Sequence, residues 1–244
     1  MFWDILFFGP WSVLILLPGL ILGIYAQIKV STTYNKYSKV FSERGISASM
    51  MAKEMMSKLG IYDVGIREIK GNLTDNYNPS TDIVSLSQST YYSTSVAALG
   101  VAAHEIGHVM QQKEGYFPMK FRTILVPAVN FGSMAFMPLL LIGILIEYLG
   151  SESSSNVANI LINLSIILYG LSTLFALATL PVEFNASHRA KKCLVEYGIL
   201  SKEECKGAAK VLDAAALTYV AAFFTSLLYF LRFLIIIGGV RRNK

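Results

Sequence analysis

Hydrophobic and polar positions are organised on two scales along this chain. On the coarse scale, four stretches contain no Asp, Glu, Lys or Arg: between Asp4 and Lys29, between Arg122 and Glu147, between Glu152 and Glu183, and from Ala214 to Leu231, where Arg232 interrupts. A helix crossing the hydrocarbon of a bilayer needs about 20 mostly apolar residues, and the first three stretches meet that length. Pro10, Pro18, Pro127 and Pro138 fall inside the apolar stretches, where neighbouring helices can satisfy the freed carbonyls. On the fine scale, the polar segments read as short elements. Ser47 caps a helix predicted over Ile46–Leu59, with Met51, Met55 and Leu59 repeating at i,i+4 as core and Gly60 ending it. Val64, Ile66 and Ile69 predict a short strand, Asp75–Pro79 a turn, and Ile83–Ser87 a second strand, which is either an ordinary sheet strand or one whose free edge can pair with an extended peptide. Ser93 and Ser95 offer caps for a helix through about Glu114, stopped by Gly115 and Pro118. Ser201–Glu204 has capping-box spacing, for a helix that runs on into the fourth apolar stretch.

Composition sharpens this into a class. The 244 residues are 54% hydrophobic and only 15% charged, against about 25% charged in soluble domains. Disordered, collagen-like and disulfide-scaffold chains are excluded, the last because there are only two Cys. The net charge of +5 reads as charge flanking membrane segments, so the lipid bilayer is the expected partner and nucleic acid is not. Eleven Lys and Arg fall in residues 29–122 and six in 181–213, whereas the loop 150–156 has none. The positive-inside rule then places 29–122 and 181–213 in the cytoplasm, with the amino terminus and the 150–156 loop outside. The first stretch follows an acidic rather than basic start and lacks an A-x-A cleavage site, so it reads as a retained anchor. The fourth stretch stays open: if it spans, Arg232 has to snorkel and the basic tail Arg241–Lys244 ends outside, against the rule. Cys193 and Cys205 are expected to be reduced on the cytoplasmic side and take no role.

The expected architecture is membrane α-helical with three to four transmembrane helices and one small α+β domain in water. Its divisions are an anchor at 1–29, a cytoplasmic domain at 30–122, a helical hairpin at 123–182, a cytoplasmic helix at 183–213, and a fourth apolar helix with the tail at 214–244.

The chemistry lies in His104-Glu105-Ile106-Gly107-His108. Two His at i and i+4 share one helix face, so both imidazoles can bind one Zn²⁺, and Glu105 stands where it can take a proton from the coordinated water. The preceding run Ala97–Ala103 is small and apolar, as suits a helix buried beneath an active site. A catalytic zinc needs a third protein ligand. Glu183, the one acid in the run 153–195 and placed just past the third stretch, is the preferred candidate. His188, five residues on and pointing to a different face of a helix, is its rival. An oxyanion donor would come from Arg189, His188 or Tyr77.

The segments A-A-H-E-I-G-H-V-M-Q (102–111) and L-P-V-E-F-N-A-S-x-R-A (180–190) resemble those of the YugP-like membrane zinc metallopeptidases. The likeness extends to the anchor, the D-x-Y-N-P turn, D-A-A-A-L-T-Y-V-A-A (213–222) and the basic tail. More distantly, H-E-x-G-H with a later E-F-x-A is similar to the HtpX and CAAX-prenyl types of membrane protease. The resemblance implies a zincin-like (gluzincin) domain with one Zn²⁺ per chain, His104, His108 and Glu183 as ligands, and Glu105 as general base. It also implies a polypeptide substrate, expected to be a membrane protein, and a bacterial plasma membrane with the site facing the cytoplasm; oligomers or partner membrane proteins are not readable. The Asp that supports a ligating His in the distant relatives falls on Ser187, a weaker orienter, and His188 or Asn185 are further candidates for that role.

Two other readings use the same motif. A site-two-type intramembrane protease would want the motif inside a span and an Asp as third ligand, yet no Asp occurs between Asp82 and Asp213. A non-catalytic zinc-binding adaptor would want a closed, Cys-rich cage and would give Glu105 no task.

Overall fold

The structure, a computed structural model, describes residues 13–150 and 155–242, with side chains as far as Gly238. The first twelve residues of the anchor read above, and four residues of the 150–156 loop, lie outside this description. In chain order the elements are α1 (Leu17–Tyr37), α2 (Ala48–Lys58), β1 (Gly65–Ile69), β2 (Asn76–Asn78), β3 (Ile83–Ser87), α3 (Gln88–Tyr91), α4 (Val96–Lys113), α5 (Phe117–Leu149), α6 (Ser155–Glu196) and α7 (Lys202–Arg242). The chain forms two compact units.

One unit takes the described residues through Ile24, Phe121–Thr179, and those from Val220 onward. Its regular elements among the described residues are all helices. α5, α6 and α7 are each long and apolar enough to cross a membrane. Ile124, Phe131, Met134, Leu141, Ile160 and Ile167 face outward, a surface that suits hydrocarbon and would be a liability in water. Small residues let the helices approach. A Cβ on Gly143 would lie 3.2 Å from Leu161 Cβ and the Ala158 carbonyl, and one on Gly132 would lie 3.3 Å from the Leu168 carbonyl. The Thr173 and Ser226 hydroxyls bond at 3.0 Å between α6 and α7, and Tyr169 packs against Phe136, Phe230 and Phe233.

The other unit, Tyr25–Lys120 with Leu180–Tyr219, carries the sheet. Strand order is β1-β3-β2, with β1 parallel and β2 antiparallel to β3. Of the two readings of Ile83–Ser87, the ordinary sheet strand holds and the free edge does not: it is the centre strand, paired on both sides. Its residues from Val84 to Ser87 are all buried, as a strand covered on both faces requires. Asn76–Asn78, expected as a turn, is a short edge strand, with the turn chemistry displaced to its two ends. The Asp75 carboxylate accepts from the Ser87 amide and hydroxyl, and Asn78 Oδ1 accepts from the Ser80 amide. The core gathers Met51, Met55, Leu86, Leu99, Ile106, Leu194 and Ile199.

Helix boundaries follow their capping residues. Ser47 and Ser95 each accept from the amide three residues on, at the starts of α2 and α4. Gly60 and Gly115 follow α2 and α4 with positive φ, and Pro118 then occupies the first turn of α5. At α7 the capping box closes in both directions, the Ser201 amide to Glu204 Oε2 at 2.7 Å and the Glu204 amide to Ser201 Oγ at 3.5 Å.

α7 is one uninterrupted helix of 41 residues, about 60 Å long, roughly twice the hydrocarbon thickness. Arg232, at its far end, is not without a partner in the protein. Reporters fused at Lys244 and within the 150–156 loop are therefore expected on the same side of the membrane. Opposite sides would mean that α7 does not cross.

Candidate metal centre

The centre is built on α4, whose small residues let two other helices come close. A Cβ on Gly100 would meet Ala208 Cβ of α7 at 3.3 Å, and one on Gly107 would run into the Ala186 carbonyl of α6. Ala97, Ala98, Ala102 and Ala103 are fully buried around these contacts. On the face turned to α6, His104 and His108 stand one turn apart with ring centroids 4.7 Å apart and planes 84° to each other.

From α6, Glu183 closes the group. Its Oε2 lies 3.2 Å from His104 Nε2 and 3.5 Å from His108 Nε2. The three potential ligand atoms all fall within 4.8 Å of one another, so these residues could hold a metal ion. The donor set fits zinc: two imidazole nitrogens and a carboxylate are a catalytic-type set, leaving one position open. Tetrahedral zinc with bonds of about 2.0–2.2 Å keeps its ligand atoms roughly 3.3–3.6 Å apart, close to the two spacings here. Glu183 and His108 are buried at 3% and 8% exposure, so an anion and two imidazoles converge in a place that water does not compensate. A cation does so.

Glu105, next to His104, is also buried. Burial pushes its carboxyl above the usual carboxylate range; the imidazoles of His108 and His104 oppose this, while the charges of Glu183 and Asp75 add to it. For His108, burial favours the neutral ring, but the hydrogen bond and charge of Glu183 and the charge of Glu105 outweigh it, and its pKa is raised.

A ring of polar contacts surrounds the imidazoles. Ser187 Oγ lies 3.1 Å from His104 Nδ1. Gln111 Oε1 lies 3.0 Å from His108 Nδ1, and Gln111 Nε2 donates to the Val182 carbonyl at 2.7 Å and to Asn185 Oδ1 at 3.0 Å. Arg189 Nε donates to the same Asn185 oxygen at 2.7 Å, and its Nη1 to Glu114 at 2.6 Å. The other residues singled out from the sequence lie elsewhere. His188 is exposed on α6. The Tyr77 hydroxyl donates to Asp82 at 2.6 Å, on a carboxylate it shares with Lys113. Gln111 is the residue that sequence reasoning passed over. Its signal was available, since a position three beyond His108 lies on the same helix face.

Comparison with known proteins agrees with this chemistry. A family model described as "Putative neutral zinc metallopeptidase" matches residues 12–238. The chain is 43% identical over 215 residues to the "Putative membrane protease YugP" of Bacillus subtilis (strain 168), covering 88% of this chain and 91% of that one. No solved structure matches.

The helix crossing at Gly107 gives a direct test. Gly107→Ala is expected to lower bound zinc and the thermal midpoint together, because a methyl there must push α4 away from α6 backbone at a cost of about 1–3 kcal/mol or more. Gly100→Ala, whose tightest contact would be the Ala208 methyl at 3.3 Å with the backbone at ordinary contact distance, is expected to spare the zinc. Metal analysis alongside a melting curve reads both, and a Gly107→Ala protein with full zinc content would refute the close-approach account.

Proposed function

Because the chain belongs to the neutral zinc metallopeptidase family, we propose that it is a membrane-embedded, zinc-dependent endopeptidase that cuts membrane or membrane-proximal polypeptides. The observation that carries this reading is the convergence of His104 Nε2, His108 Nε2 and the Glu183 carboxylate within 4.8 Å, with Glu105 buried beside the first of them. His104, His108 and Glu183 would hold one zinc per chain in a zincin-like α+β domain of the gluzincin kind. Bound there, zinc polarises a peptide carbonyl and acidifies a water.

The chain's own residues do the rest. Glu105 takes the proton of the attacking water and delivers it to the leaving amine. Ser187 and Gln111 hold the two imidazole rings from behind, at Nδ1. The outer edge of β2 carries no further strand among the described residues, so an extended peptide can add to the sheet there. The excess of Lys and Arg in 29–122 and 181–213 supports a site on the cytoplasmic face, and the Bacillus subtilis relative supports a bacterial plasma membrane.

The test uses the full chain in detergent, with zinc measured by metal analysis beside cleavage of casein. Wild type is expected to hold about one zinc and to cut. Glu105→Gln is expected to keep its zinc and lose at least about a hundredfold in turnover, the scale of a general base. Glu183→Ala is expected to lose zinc, and His188→Ala to retain both zinc and activity. Equal zinc in wild type and Glu183→Ala would move the third ligand elsewhere. A wild type that binds zinc but cuts no polypeptide would leave a non-catalytic zinc protein.

A further inference from the structure

The fully buried Gln111 and the residues behind it have a proton arrangement that can be worked out from its two ends. At one end, Arg189 Nε can only donate, so the Asn185 atom it meets at 2.7 Å is the amide oxygen. At the other, the Val182 carbonyl can only accept, so the Gln111 atom 2.7 Å away is the NH₂ group. The same NH₂ donates to Asn185 Oδ1 at 3.0 Å, which is consistent with both assignments. Gln111 therefore turns its oxygen to His108, and His108 Nδ1, at 3.0 Å, must carry the hydrogen. The lone pair of the neutral ring is then on Nε2, facing the Glu183 carboxylate oxygen 3.5 Å away. Either a proton or a metal ion can bridge that lone pair and the carboxylate, and with Nδ1 already carrying its hydrogen, Nε2 is the nitrogen left to act as a ligand.

We infer that Gln111 is the positioning residue for metal binding: it fixes the tautomer and ring orientation of His108, and is itself locked by the Val182 carbonyl and by an Asn185 held from Arg189. The inference rests on the metal reading above and specifies which side chain prepares the site. His104 is supported differently. Ser187 Oγ can donate or accept, so it leaves the tautomer of that ring undecided, and the predetermined half of the centre is the His108 half. Arg189 in turn acts at a distance. Its guanidinium is committed to Asn185 and to Glu114 and lies 5.8 Å from the centre of the Tyr116 ring.

The experiment measures zinc affinity by chelator competition on the full-length protein in detergent, together with the visible spectrum of the cobalt-substituted protein. Both read the metal site without reference to turnover. Gln111→Met keeps the volume but removes both the acceptor for His108 and the donor for Val182. It is expected to weaken zinc binding by about 10- to 100-fold, the usual scale for a group that orients a metal-binding His, and to change the cobalt ligand-field bands. Asn185→Leu is expected to weaken binding in the same direction by a smaller factor. Asn185→Asp, which keeps an oxygen for both donors, is expected to restore wild-type affinity to within about twofold. Gln111→Met with wild-type affinity and spectrum would overturn the inference, whatever it did to stability. Should Gln111→Met fail to fold, the Asn185 pair decides: equal weakening by Leu and Asp would overturn it equally. A wild type that takes up no zinc would instead bring down the metal reading itself.

Discussion

Everything at the centre depends on how closely α4 and α6 can approach at Gly107 and Ala186. A methyl group on Gly107 would occupy the space of the Ala186 carbonyl, so the two backbones touch with nothing between them. That contact sets the reach of every side chain one turn to either side. His104 and His108 flank it on α4, Glu183 and Ser187 flank it on α6, and short side chains suffice to meet. A larger residue at Gly107 would force the two backbones apart at this point. The small residues of α4 extend the same logic to α7, where Gly100 meets Ala208.

Polar groups enter this tightly packed region only where each has a counterpart. Gln111, with no exposed surface, spends both of its functional groups on named partners. Burying such an amide costs several kcal/mol if it is left unpaired and little if it is paired, so its partners restrict it to one orientation. The same economy governs Glu204, which caps its own helix through Ser201 and also accepts from the Glu43 amide at 2.7 Å, joining the loop after α1 to the start of α7. Two of the buried carboxylates of this unit thus differ in their partners: Glu204 is met by amides, Glu183 by two imidazoles.

Much of this was legible in the amino-acid order, and the reasons differ by element. The helix ends at Ser47, Ser95 and Ser201 could be read because capping is local chemistry, decided within four residues. The face shared by His104 and His108 could be read because helical periodicity converts a spacing of four into proximity. The pairing of β3 could not, because a run such as Ile83–Ser87 reads alike at an edge or in the middle of a sheet. Only the position of β2 distinguishes them, and β2 hides in a sequence rich in turn residues. Gln111 was overlooked for a related reason. A polar residue among Met110 and Gln112 on a helix looks like surface until the neighbour that buries it is known, and that neighbour, α6, arrives seventy residues later.

That distance in sequence has a consequence in time. His104 and Glu183 are 79 residues apart, and the whole of α5 and the apolar part of α6 lie between them. A ribosome delivers the chain from its amino end at about 5–20 residues per second, so α4 emerges several seconds before Glu183. During that interval the nascent chain displays His104, Glu105 and His108 but not Glu183, so the group that could hold a metal ion is incomplete. Glu183 follows only after the second and third apolar segments have been made. On the reading proposed above, the site stays incomplete while α5 and the apolar part of α6 are still being synthesised.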